Sequence, residues 1–70
     1  MREPSGPQKV LLCLGEGNIL DVQDIIAYYR FQGYTSPEKS AYKNMKKLVD
    51  KELVKRTRYK GLYKITYNNK

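Results

Sequence analysis

The 70 residues predict a mainly α chain with a small β-hairpin (α+β): three helices, then two strands. Three observations carry that expectation. Apolar residues recur at helical spacing in three separate stretches before Leu53. Each stretch is bracketed by Pro, Asp or Ser/Thr at its start, and the first two by Gly at their ends. After Leu53 the spacing shortens to two, with Gly61 in the middle, which is the pattern of two strands joined by a turn.

Residues 1–6, with two prolines, a glycine and no apolar anchor beyond Met1, read as a disordered N-terminal arm. Helix 1 is expected over about residues 7–15. Pro7 suits a first helical turn, the block 10–14 is apolar, and Gly15 and Gly17 supply stop signals. Within that block Cys13 reads as a small core residue. Ile19 and Leu20 form either a very short strand or a buried connector. Asp21 then caps helix 2, because its carboxylate can accept from the free amides of the next turn. Val22, Ile25, Ile26 and Tyr29 follow on one face, and Gly33 provides a left-handed stop.

Helix 3 has the clearest start in the chain. Either Thr35 and Glu38 form a capping box, or Ser36 is the cap with Pro37 at the first helical position. Ala41, Met45, Leu48 and Val49 fall in one sector of the wheel, at about 100° per residue. Ser36, Lys39, Ser40, Lys43, Lys46, Lys47 and Asp50 occupy the opposite sector, with Asn44 on the flank.

For the hairpin, two registers compete. A two-residue loop at Lys60-Gly61 pairs Arg58 with Tyr63 and Arg56 with Ile65, mixing cations and apolar side chains on both faces. A three-residue loop, Tyr59 to Gly61, pairs Arg58 with Leu62, Thr57 with Tyr63 and Arg56 with Lys64. The second register separates an apolar face (Leu53, Thr57, Tyr63, Ile65, Tyr67) from a cationic one (Arg56, Arg58, Lys64), and is preferred. It leaves Lys55 on the apolar face, where it must snorkel. Residues 68–70 are a polar tail.

Composition narrows the function. The formal charge is +7, and it is segregated: residues 1–34 carry three Lys/Arg against four acids, residues 35–70 eleven against three. A half-molecule balance of +8 points to a polyanionic partner. With no histidine and one cysteine, neither a disulfide within the chain nor a zinc site is expected. Gly15 and Gly17 make a lone GxG, so no phosphate-cradling loop is present, and the carboxylates are scattered. Catalysis, cofactors and a small-molecule effector are therefore not expected. No apolar run reaches the ~20 residues of a membrane span, and a cytoplasmic protein is the expectation. A chain this short buries a thin core, which makes a homodimer the expected assembly.

The stretch "SPEKSAYKNMKKLVDKELVKR" resembles the third helix and first wing strand of winged helix-turn-helix regulators. Ser36 and Ser40, Ala41, the basic middle from Lys43 to Lys47, Leu48 and the Leu53-Val54 pair carry the likeness. "LYKITYN" is similar to the closing wing strand, through Tyr63, Ile65 and Thr66. The resemblance spans residues 7–67. It departs from the family pattern at Glu52, where many relatives have glycine, so either the helix-to-strand turn differs or the helix runs longer.

The resemblance implies a three-helix winged helix-turn-helix domain that binds double-stranded DNA, with helix 3 in the major groove and the 53–67 hairpin as a wing. On helix 3 the candidate contacts are Ser36, Lys39, Ser40 and Lys43 near the base edges, Asn44, whose amide can pair with adenine, and Lys46 and Lys47, the lysines being expected mainly on phosphates. On the hairpin they are Arg56, Arg58, Tyr59, Lys60 and Lys64. Two other readings stay open: a protein-interaction module in a larger assembly, for which the aromatic cluster Tyr28, Tyr29, Phe31 and Tyr34 speaks, and an RNA or single-strand binder.

Overall fold

The computed structural model describes residues 3–67. Its elements, in order, are α1 (Gly6–Cys13), β1 (Ile19–Asp21), α2 (Val22–Phe31), α3 (Pro37–Asp50), β2 (Val54–Arg56) and β3 (Leu62–Ile65). The three strands form one antiparallel sheet in the order β1-β3-β2, so the last strand lies between the other two. Three helices and a three-stranded sheet make an α+β fold.

α1 starts one residue earlier than its proline suggests. Ser5 is the cap, in a reciprocal capping box: the Ser5 hydroxyl accepts from the Gln8 amide, and the Gln8 side chain accepts from the Ser5 amide at 2.9 Å. Pro4 is buried, so residues 3–5 of the expected arm lie against the folded unit. Gln8 also accepts from Lys51 Nζ at 2.9 Å, and Lys51 reaches the Glu3 carbonyl at 3.3 Å, which pins this end of α1 to the end of α3. The helix stops at Cys13, before Gly15. The buried ridge is Gln8 and Leu11, so Cys13 turns outward and is exposed, correcting its assignment to the core. Gly15 is needed for close approach: a Cβ there would lie 2.5 Å from Ile65 Cδ1 and 3.0 Å from the Ile19 carbonyl.

β1 is a true strand, pairing Ile19 with Lys64, Leu20 with Tyr63 and Asp21 with Leu62. Asp21 caps α2 as expected, accepting from the Gln23 amide at 2.9 Å. α2 ends in a paired closure in which Gly33 N–H donates to Arg30 O (3.1 Å) and Tyr34 N–H to Tyr29 O (3.0 Å), with Gly33 at φ 88°. The same closure ends α3. Glu52 N–H donates to Val49 O and Leu53 N–H to Leu48 O, both at 2.9 Å, and Glu52 itself adopts φ 61°. The helix therefore does not run on past this turn, and a non-glycine side chain takes a left-handed conformation that costs about 1–2 kcal/mol.

One core joins Leu11, Leu20, Val22, Ile25, Ile26, Tyr29, Ala41, Met45, Leu48, Leu53 and Val54. Val49, Tyr63, Ile65 and Tyr67 pack against its edge. Burial, followed by the neighbouring Tyr34 and Tyr28 phenols, pushes Tyr29 above the ordinary tyrosine pKa.

The hairpin takes neither expected register. Val54 pairs with Ile65, Lys55 with Lys64 and Arg56 with Tyr63, which leaves a loop one residue longer than the preferred reading, residues 58–61. Thr57 is the reason. Its hydroxyl accepts from the Tyr59 amide (3.1 Å) and donates to the Leu62 carbonyl (2.8 Å), bracing the loop from inside. Gly61 stands at φ 86°, its would-be Cβ 3.2 Å from Val22 Cγ1, and its carbonyl accepts from the Val22 amide at 2.9 Å. Gly61→Ala meets both the conformational and the contact penalty, and is expected to lower stability by about 1–2 kcal/mol in urea denaturation.

Candidate nucleic-acid interface

The face of α3 opposite its core residues is the one the sequence singles out. Ala41, Met45 and Leu48 are buried, whereas Lys39, Lys43, Lys46 and Lys47 lie on the other side, all four exposed. Among the described residues these four lysines make no ion pair or side-chain hydrogen bond. Four unneutralised ammonium groups along one face make a strip of positive potential, broken by Asp50 at the far end.

The N-terminal turn of the same face carries Ser36 and Ser40. Ser36 is the cap residue, followed by Pro37, but its hydroxyl makes no capping hydrogen bond. It is exposed and open to an external partner. Ser40 is half-buried. Asn44, also half-buried, donates from Nδ2 to the Ser40 carbonyl at 2.8 Å. The amide nitrogen carries two hydrogens, so this bond occupies one and leaves the other, with Oδ1, for a bidentate pairing with adenine.

The observed register redistributes the hairpin cations. Lys55 and Lys64 stand opposite each other on the outer face, next to Ile19 in the pairing row, and both are exposed. Arg56 lies opposite Tyr63 in the row that continues to buried Leu20, yet it remains exposed at the sheet margin. The expected trio of Arg56, Arg58 and Lys64 on one face is therefore corrected: Lys55 with Lys64 forms the outer pair, and Lys55 does not snorkel. The reason is the Thr57 brace, which lengthens the loop and moves the register by one residue, so that side chains exchange faces. Lys55 is a candidate contact that sequence reasoning placed on the wrong side. The signal for it was Thr57, a hydroxyl able to replace a ladder hydrogen bond.

Arg58, Tyr59 and Lys60 occupy the loop, and all are exposed, Tyr59 at 63 %. The loop is held at three points, by Thr57, by the Leu62 N–H to Tyr59 O bond (3.2 Å) and by the Gly61 bond to Val22. α3 and the hairpin are in turn joined by the closed turn at Glu52, so the lysine face and the basic hairpin belong to one continuous scaffold.

The aromatic group at the end of α2 divides. Tyr29 is buried, its ring 5.6 Å from Tyr28 and 4.6 Å from Tyr34 by centroid. Phe31 stands apart, 88 % exposed. Among the described residues no three His, Cys, Asp or Glu side chains are grouped to hold a metal ion, and no helix is long and apolar enough to cross a membrane. Comparison with known proteins returned no matching family model, no matching curated protein and no matching solved structure.

Proposed function

We propose that this chain is a winged helix domain that binds double-stranded DNA as a small transcriptional regulator. α3 enters the major groove, and the hairpin acts as the wing on the backbone or minor groove. The observation that carries the reading is the grouping of exposed cations on two consecutive elements. They are Lys39, Lys43, Lys46 and Lys47 on the open face of α3 and Lys55, Arg56, Arg58, Lys60 and Lys64 on the hairpin immediately downstream. The chain order, with a short strand before α2 and a hairpin after α3, supports it, since a winged helix is built in that order.

A helix and a wing of this size neutralise about 5 to 8 phosphates per protomer, so the logarithm of the association constant should fall with the logarithm of salt at a slope of about −4.5 to −7. Fluorescence anisotropy with a labelled random duplex measures this directly. Binding that stays flat across the titration overturns the reading. No binding even at low salt favours the protein-interaction alternative, and tighter binding to single strands in competition favours the stacking one.

A further inference from the structure

Among the described residues the outward face of α2 has no partner, and its residues are arranged to meet their own copy. α2 packs through Val22, Ile25, Ile26 and Tyr29. On the far side lie Gln23, Asp24, Ala27, Arg30 and Phe31, all exposed. Phe31 is the most exposed large apolar side chain among the described residues. Exposing a whole phenyl ring to water is unfavourable, and covering it should strengthen association by at least about tenfold per ring.

We infer that this face forms a two-fold homodimer by antiparallel packing of α2 against α2 of a second copy, centred on Ala27. The charges determine the occupant. Asp24 lies three residues before Ala27 and Arg30 three residues after it. In an antiparallel pair centred on Ala27, Asp24 of each copy therefore meets Arg30 of the other, giving two symmetric ion pairs. The small Ala27 side chain permits close approach at the axis. By the same symmetry each Phe31 ring lies over the partner's Gln23, beside the Asp24 and Ala27 ridge. α2 also belongs to the half of the chain with no cationic excess, so two strongly basic protomers meet there with the least repulsion. A ten-residue helix is ~15 Å long, which puts the interface at the small end of the range and its dissociation constant in the micromolar region or above, by order of magnitude.

Sedimentation equilibrium of the isolated chain, without DNA, tests the inference independently of the DNA reading. The wild type should move from 8.2 kDa towards twice that mass between about 10 μM and 1 mM protein, the span over which so small an interface fills. Phe31→Ala removes both rings from the dimer and should weaken it by at least about a hundredfold. Because the ring is exposed, the variant keeps its helical circular dichroism. The decisive arm uses two charge variants, Asp24→Arg and Arg30→Asp. Each alone places like charges at both pairing points and should be monomeric. Mixed, they restore opposite charges across the interface and should form a heterodimer. Asp24 and Arg30 also suit the dipole of α2, at its first and last turns, but that role predicts no recovery on mixing. A wild type that stays monomeric to about 1 mM, a dimer indifferent to Phe31→Ala, or a mixture that fails to associate each overturns the interface.

Discussion

Replacing Lys39, Lys43 and Lys47 together by alanine should lower duplex DNA affinity by about 100- to 1,000-fold at 0.1 M salt and flatten the salt slope by about 3. The size follows from counterion release, since each phosphate no longer neutralised removes about a factor of ten at that concentration. The fold should be untouched, because the three side chains lie opposite the buried sector of α3. Alanine at Arg56 and Arg58 should weaken binding to all sequences alike, by about 10- to 100-fold, with a slope change of about 2. In the same assay Ser40→Ala should leave the slope alone and shift preference between duplex sequences, because a neutral hydroxyl releases no counterion. A triple-lysine variant that binds with unaltered affinity and slope would remove α3 from the interface.

Leu48→Ala should cost about 3 kcal/mol and lower the melting temperature by about 12–24 °C, as a fully buried leucine in a small domain does. Leu48 has no exposed surface, and its carbonyl accepts from the Leu53 amide in the turn between α3 and β2. Its side chain therefore sits where α3 passes into the hairpin, and the surrounding groups are tied by hydrogen bonds that restrict collapse into the cavity. A domain of this length has roughly 3.5–10 kcal/mol of total stability, so the substitution removes a large share of it. Thermal unfolding followed by circular dichroism reads the loss. A shift of only a few degrees would mean that the core at this junction is loosely packed.

Local chemistry was legible along much of the chain. The cap at Asp21, the stop at Gly33, the buried stripe of α3 and the opposing lysines follow from neighbours a few residues apart. Those interactions are short-ranged enough to be written in the order of residues. α1 starts before Pro7 because Ser5 and Gln8 form a reciprocal box, a pair without the glutamate that usually marks such a start. Cys13 was misplaced because an apolar run does not reveal which of its sides faces inward when the helix is only eight residues long.

The candidate site divides in the same way. The α3 lysines could be placed from helical phase alone. The hairpin could not, since moving the register by one residue sends each side chain to the other face. Its actual register depends on Thr57 bracing the loop, on Gly61 docking against Val22 and on β3 pairing with β1 as well as with β2.

The sequence by itself determined the order of the three helices and the hairpin, the capped start of α2, the start of α3 near Pro37, and a cationic second half with its lysines on one helical face. Only the tertiary structure decided that Lys55 faces outward beside Lys64, that Cys13 is exposed, that Glu52 adopts the left-handed turn and that Phe31 stands uncovered. The first group depends on interactions within one or two helical turns. The second depends on contacts between segments far apart in the chain, where the energy of packing selects among local arrangements that are nearly equal by themselves.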